Sequence, residues 1–207
     1  MKLAIIGQSW LAQEVLEAML ATEGVEVVAA APEVGGDRFE AAALAAGVPV
    51  VPPEALPPAD VLLAAHCNLY LGEKIRGRFR LGVLAYHPSL LPRHRGRDSI
   101  YWTIAFGDPI AGGTVFWMDG GVDTGPVEEQ KWCFVAPGDT PLTLWKRELG
   151  PLGVRLLLSA IMRLSQGKEP RRQQQQENFA TYEPPVSHAG VGGKKRPKKG
   201  QNAAGGA

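Results

Sequence analysis

Residues 3–31 read LAIIGQSWLAQEVLEAMLATEGVEVVAAA, which is two apolar runs separated by a segment of helical periodicity. The first run ends in Gly7, and a helix is predicted to follow it. The second run, residues 25–31, predicts another buried strand. Both runs are too apolar to face water, a property typical of parallel strands that are covered by helices.

The same alternation of strands and helices continues along the chain. The remaining predicted elements are, in chain order, a helix over 39–46 that Gly47 ends, strands over 48–51, 60–66 and 81–86, a helix over 101–106, strands over 112–119 and 127–134, a helical region over 140–165 interrupted at 150–151, and a short strand or docked segment over 178–182. This order predicts an α/β fold with a Rossmann-like, doubly wound, mostly parallel sheet.

Composition limits the class of protein. The 207 residues are 45% hydrophobic and 21% charged, with a net charge of +1, which excludes a strongly basic nucleic-acid binder. Residues 189–207 hold five Lys and Arg and no acid, so we expect a folded domain over 1–183 and a disordered basic tail over 184–207. No apolar run is long enough for a membrane span, the first residues predict a strand rather than a signal peptide, and we expect a cytoplasmic protein.

Two further patterns predict no cofactor site. The turn after the first strand, GQSWLA at 7–12, lacks the GxGxxG pattern, and no acid ends the second strand, so a tight turn is favoured over nucleotide binding. Cys67 and Cys133 lie far apart without a CxxC pattern, which argues against a disulfide framework or a zinc finger.

The segment AYHPSLLPRHRG, residues 85–96, is the first candidate for chemistry. His87 follows a predicted strand directly, at the sheet edge where sites form in open α/β sheets, and imidazole can act as acid, base or oxyanion donor near neutral pH. A second loop, WMDGGVDTGP at 117–126, places Asp119 and Asp123 after another strand. Two loops at one sheet edge would bring His87 to a carboxylate, and spacing alone leaves the choice between the two acids open.

Taken together, HPSLLPRHRG, GGVDTGP and the closing ATYEP resemble the folate-dependent formyltransferase family, which includes methionyl-tRNA, glycinamide ribonucleotide and sugar N-formyltransferases and a formyl-folate hydrolase. The resemblance covers residue 1 to about residue 182 and implies a catalytic domain over 1–183. It also implies formyl transfer from 10-formyltetrahydrofolate, as cosubstrate, to a primary amine, with no metal. The resemblance further implies catalytic roles for His87 and Asp123, and a folate pocket formed by Asn68, Leu69, Tyr70, Leu71, Asp119, Gly120 and Val122.

The chain departs from the family pattern at Ala85, where the family has an Asn that holds the formyl oxygen. Losing one such donor typically costs about 10²–10³ in rate. The hypotheses are therefore a slow enzyme, an enzyme in which another group such as Asn68 replaces the amide, or a folate-binding relative without turnover.

The acceptor and the other partners also stay open. The overall motif match favours methionyl-tRNA, whereas the short segment over 32–39 favours a small amine such as an amino sugar or glycinamide ribonucleotide, and water is a third acceptor. The tail sequence KKRPKK, residues 194–199, suits weak phosphate contact with RNA, although a solvated tail is favoured. The basic run at 93–97 is an equal choice between anion binding beside His87 and a solvated surface. We predict no membrane partner, and the sequence leaves the oligomeric state open.

Overall fold

A computed structural model describes residues 1–186. The described chain forms one six-stranded sheet with the order β2-β1-β3-β4-β5-β6. Its elements are β1 (Lys2–Gly7), α1 (Ser9–Leu20), β2 (Glu26–Pro32), α2 (Arg38–Ala45), β3 (Ala59–Ala65), α3 (Glu73–Arg76), β4 (Phe79–His87), α4 (Ser99–Phe106), β5 (Ile110–Trp117), β6 (Val127–Phe134), α5 (Pro141–Leu144) and α6 (Gly150–Ser165). The Rossmann-like, mostly parallel α/β fold is confirmed.

Parallel pairing holds for the first four strands, and the last two are antiparallel. β1 pairs with β2 and β3, and β3 pairs with β4, all in parallel, so their carboxyl ends meet at one edge of the sheet. β5 runs antiparallel to β4, and β6 antiparallel to β5. The strand order reverses between β1 and β3, because β2 is added on one side of β1 and β3 on the other, and this is the position at which open α/β sheets bind ligands.

The two faces of the sheet bury separate apolar clusters. Residues of α1, α2 and α6 cover one face. The other face is covered by shorter segments, which contribute Leu56, Leu71, Ile75 and Leu91. This second face carries Ala85 near the end of β4.

The strand predicted over 48–51 is wrong. The segment makes a single parallel bridge, Val50 to Ala30, at the outer edge of β2. Prolines at 49, 52 and 53 lack the N–H that a longer ladder requires. The third strand of the sheet is instead Ala59–Ala65, which lies between β1 and β4.

Residues 141–165 are helical, and the segment that follows them packs against the domain. The region predicted over 140–165 contains α5, a π-helical turn over Trp145–Leu149 and α6, with the interruption at the start of α6. The segment beyond α6 packs back onto the domain as far as Val186, whose N–H donates to Asp98 at 2.9 Å. The predicted tail lies outside the described residues from 187 onward. No helix within residues 1–186 is long and apolar enough to cross a membrane.

Candidate active site

His87 is the last residue of β4 and is only 8% exposed. The preceding residue, Tyr86, points to the opposite face, where its hydroxyl donates to the Leu149 carbonyl at 2.6 Å. The Tyr86 ring lies against Gly113 and Gly153, and a Cβ added at Gly113 would stand 2.4 Å from the Tyr86 hydroxyl oxygen. The strand end is thus anchored from behind, and the imidazole is held on the second face.

The two ring nitrogens of His87 have different surroundings. Nε2 lies 2.7 Å from the backbone carbonyl oxygen of His94, and because a carbonyl only accepts, Nε2 carries the hydrogen. Nδ1 lies 3.6 Å from Oδ2 of Asp123, a distance for charge interaction rather than a direct hydrogen bond. Nε2 is therefore the anchored nitrogen, and Nδ1 faces the acid.

Asp123 reaches His87 by a route that the sequence does not predict. We expected two loops at one sheet edge, but β5 is antiparallel, and its last residue, Trp117, pairs with Leu84 in the middle of β4. The loop after β5 must therefore fold back to bring Asp123 to the imidazole. Asp123 has a left-handed backbone (φ 54°), and its Oδ2 accepts the Gly96 N–H at 2.7 Å.

The geometry separates the two acids of this loop. Asp119 Oδ1 accepts hydrogen bonds from the Gly121 N–H at 2.9 Å and from the Thr124 hydroxyl at 2.6 Å. Asp119 therefore shapes the turn, and Asp123 is the acid that faces His87. Gly120 and Val122 lie exposed on the same loop, Val122 being 58% exposed.

The predicted folate segment follows β3, the strand next to β4. Asn68, Leu69 and Tyr70 are exposed, whereas Leu71 is buried in the apolar cluster that contains Ala85. The Asn68 N–H donates to Glu33 at 2.7 Å. The segment thus lies at the same edge of the sheet as His87, and the suggestion that Asn68 supplies an oxyanion donor stays a prediction.

Ala85 stands two residues before His87 and on the same side of β4. It is 6% exposed and lies between Ala64 of β3 and Phe116 of β5 in the sheet register. These three positions carry apolar side chains, so the site has a nonpolar wall where the family pattern has an amide.

Polar side chains that the sequence reasoning missed hold the loop after His87. The Thr114 hydroxyl donates to the Ser89 carbonyl at 2.7 Å and accepts the Leu91 N–H at 3.1 Å. Gln130 Nε2 donates to Thr114 Oγ1 at 2.7 Å and to the Leu91 carbonyl at 2.9 Å. The sequence predicted both residues only as members of strands, because a polar residue on a strand is usually one that faces solvent.

The basic run at 93–97 has mixed roles. Arg95 is 1% exposed and pairs with Glu177, and the hydrogen bond to Glu177 raises the pKa of its guanidinium. Arg93 pairs with Asp108 at 3.1 Å. Of the three arginines, only Arg97 is exposed and makes no hydrogen bond or ion pair within residues 1–186. Anion binding by the whole run is therefore excluded, because Arg95 is structural.

The amino terminus of α1 does not offer a phosphate site. The Ser9 N–H donates to Oδ2 of Asp37 at 2.5 Å, and the same carboxylate caps α2 by accepting the Glu40 N–H at 2.9 Å. An anion of the protein itself thus occupies the position that a nucleotide phosphate would take. This agrees with the prediction of a plain turn at 7–12.

Comparison with known proteins identifies the family. The family model described as Formyl transferase matches residues 54–161, which include His87 and Asp123. Cytosolic 10-formyltetrahydrofolate dehydrogenase of Mus musculus is 39% identical over 203 residues, covering 88% of this chain and 22% of that protein. Methionyl-tRNA formyltransferase of Burkholderia orbicola is 40% identical over 107 residues, covering 52% of this chain and 32% of that protein.

An N-formyltransferase from Helicobacter canadensis, solved with folinic acid and dTDP-3-aminofucose, shares the fold with a TM-score of 0.74 at 20% identity, over 88% of this chain and 70% of that one. The chain spans about a fifth of the length of the dehydrogenases that it resembles. Because the family match covers more than half of its residues, the chain belongs to the formyl transferase family.

Proposed function

We propose that this chain takes the formyl group from 10-formyltetrahydrofolate and transfers it to a nucleophile, with His87 and Asp123 as the catalytic pair. The observation that carries the proposal is the approach of His87 Nδ1 to the Asp123 carboxylate, 3.6 Å apart at the end of β4. Family membership and the names of the relatives, which act on formyl groups or formyl-folate, support the same reaction class.

The proposed reaction starts when an amine nitrogen attacks the formyl carbon. The carbonyl π electrons move onto oxygen, and the tetrahedral oxyanion is stabilised by the protonated imidazole of His87. Asp123 takes the proton that the attacking nitrogen loses. The bond between the formyl carbon and folate N10 then breaks, and N10 receives a proton from the imidazole. Tetrahydrofolate leaves, and the formyl group remains bonded to the amine.

The hydrogen bond that holds one ring nitrogen of His87 determines which nitrogen can contact the substrate. Since Nε2 donates to the His94 carbonyl, Nδ1 is the nitrogen available to substrate and to Asp123. Nε2 faces the His94 carbonyl and Nδ1 faces the Asp123 carboxylate, and both oxygens only accept hydrogen bonds. A proton on Nδ1 can serve the oxyanion and later the leaving nitrogen without any movement of the ring.

Folate binding is proposed for two loops that flank His87. The loop after β3 contributes Asn68, Leu69, Tyr70 and Leu71, and the loop after β5 contributes Asp119, Gly120 and Val122. Exposed apolar side chains such as Tyr70, 75% exposed, and Val122 are suited to cover a planar ring system. A relative of the same fold was solved with folinic acid, which supports a folate site on this scaffold.

The acceptor is the less constrained part of the proposal. The motif match favours methionyl-tRNA, and small amines such as an amino sugar or glycinamide ribonucleotide are alternatives. A second candidate function is hydrolysis of 10-formyltetrahydrofolate with water as nucleophile. The likeness to 10-formyltetrahydrofolate dehydrogenases, whose name includes no amine acceptor, supports it. The weak RNA contact proposed for residues 194–199 lies outside the described residues.

The test is a turnover assay with the purified chain and 10-formyltetrahydrofolate. Release of tetrahydrofolate is followed with methionyl-tRNA, glycinamide ribonucleotide, an amino sugar or no amine, and the His87→Ala variant is the control. Release that depends on His87 supports the proposal, and its dependence on an amine separates transfer from hydrolysis. Binding in a folate titration without any release would overturn it in favour of a binding protein.

A further inference from the structure

Residues 94–96, in the loop that follows β4, bind both His87 and Asp123. The His94 carbonyl accepts from His87 Nε2 at 2.7 Å, and the Gly96 N–H donates to Asp123 Oδ2 at 2.7 Å. Arg95, between them, sends its side chain away from the site toward the segment beyond α6. The position of this loop therefore sets the geometry of both His87 and Asp123.

The segment beyond α6 contains four consecutive glutamines, 173–176, which have different environments. Gln173, Gln174 and Gln176 are exposed, and Gln175 is half-buried. Gln175 Nε2 donates to the carbonyl of Asp123 at 2.9 Å and to the carbonyl of Gly125 at 2.7 Å. The side chain of Gln175 thus binds the backbone of the loop that contains Asp123.

Arg95 fixes the orientation of this amide. Gln175 Oε1 lies 3.1 Å from Arg95 Nε and 2.7 Å from Arg95 Nη2, and a guanidinium only donates. The oxygen of the amide must therefore face Arg95, and its NH₂ must face the two carbonyls. Arg95 is held in turn by both oxygens of Glu177, at 2.9 and 2.5 Å, and by the Tyr182 hydroxyl at 3.0 Å.

We propose that Gln175 is a positioning residue for the reaction: it holds the backbone of Asp123 so that the carboxylate faces His87. Asp123 is in the left-handed region (φ 54°), which most residues with a Cβ avoid. Its side chain is bound by Gly96 and its carbonyl by Gln175. These contacts act on opposite ends of the residue and together keep it in this conformation. The inference rests on the proposed function for its effect on rate.

The informative substitution is Gln175→Glu. It keeps the size and the oxygen that faces Arg95, and it replaces the NH₂ donor by an oxygen that faces two carbonyls. Gln174→Glu is the matched control, since it makes the same chemical change at an exposed neighbour. A catalytic group displaced by about 1 Å can cost 10²-fold. We expect kcat for tetrahydrofolate release to fall roughly 10–100-fold in Gln175→Glu, with KM for formyl-folate within about threefold.

An NMR measurement tests the position of Asp123 without reference to turnover. The Gly96 amide donates to the carboxylate, so its proton resonance is shifted downfield as in charge-assisted hydrogen bonds. In Gln175→Glu this resonance should move upfield and its hydrogen exchange should accelerate, whereas Gln174→Glu should match the wild type. If the wild type releases no tetrahydrofolate, the proposed function fails, and the Gly96 resonance still decides the role of Gln175.

The positioning role is overturned if Gln175→Glu is folded and leaves both kcat and the Gly96 resonance unchanged. It is also overturned if kcat falls while the Gly96 resonance stays in place, because Asp123 would then be undisturbed. Gln175→Ala serves where Gln175→Glu does not fold, as judged by its melting temperature. This variant removes the hydrogen bonds to the carbonyls of Asp123 and Gly125 without adding a charge. The same two measurements, kcat and the Gly96 resonance, apply to it.

Discussion

Ala85→Asn should convert the site toward the complete family pattern. The new carboxamide would stand on β4 two residues before His87 and on the same side, so both groups could donate to one formyl oxygen. A preorganised donor in such a site is worth about 3 kcal/mol, and at 1.36 kcal/mol per tenfold this corresponds to a rate gain of about 10²-fold. We expect the gain in kcat for transfer to an amine, with little change in folate binding, because the donor acts mainly on the transition state.

The same substitution should lower stability. Ala85 is 6% exposed and lies between Ala64 and Phe116, so in the free protein the amide would be buried beside apolar neighbours. A buried polar group without a partner costs about 1–3 kcal/mol, or about 2–4 °C in Tm for each kcal/mol at this chain length. Ala85→Leu is the matched control, because it adds nearly the same bulk without a donor and should give no gain in kcat.

The assay is steady-state release of tetrahydrofolate with and without an amine, combined with thermal unfolding of each variant. If Ala85→Asn gains nothing while the wild type already turns over well, the reasoning about a missing donor is refuted, and Asn68 becomes the group to mutate next. If Ala85→Leu gains as much as Ala85→Asn, bulk rather than hydrogen bonding is responsible.

Three further outcomes are expected. Asp123→Asn keeps an oxygen for the Gly96 N–H but removes the charge that faces His87, so kcat should fall about 10²–10⁴-fold in the turnover assay. Arg95→Ala should lower the free energy of unfolding by more than about 2 kcal/mol in urea, because it deletes a buried hub of hydrogen bonds, whereas the exposed Arg97→Ala should change it by less than about 0.5 kcal/mol. Burial raises the pKa of Cys67 to about 11, so alkylation by iodoacetamide should be slow at pH 8, accelerate toward pH 11 and become fast at pH 8 in denaturant, as mass spectrometry would show.

Most of the fold could be predicted because most of its strands are short and apolar and lie next to glycine or proline. The strand predicted over 127–134 forms with those limits. The helix predicted over 39–46 forms one residue earlier at each end, as Arg38–Ala45. The strand prediction for residues 48–51 was wrong because it rested on the apolar valines. The prolines in and after this segment have no N–H to extend a ladder of hydrogen bonds. The antiparallel direction of β5 is likewise absent from local pattern, since strand direction depends on pairing partners far along the chain.

The candidate site was predictable where chemistry lies in motifs and unpredictable where it lies in tertiary contacts. His87 and Asp123 belong to segments that resemble a family, and they lie together as expected. Arg95 stands in a basic run whose composition is equally typical of a solvated surface, and no local signal marks it as buried. Thr114 and Gln130 are polar residues on strands, and their role became visible only when the loop after His87 was found against them.

The glutamine tract shows why such roles escape sequence reasoning. Four identical neighbours have identical propensity, charge and hydropathy, so no local property can distinguish Gln175 from Gln174. The two glutamines differ in the groups that surround them in the folded chain. The guanidinium of buried Arg95 needs acceptors, and the two loop carbonyls need donors, and only Gln175 lies between them. An amide is the one uncharged side chain that meets both demands at once, with its oxygen on one side and its NH₂ on the other. The role of Gln175 is therefore a consequence of where Arg95 and Asp123 are placed, and both placements depend on the folded chain.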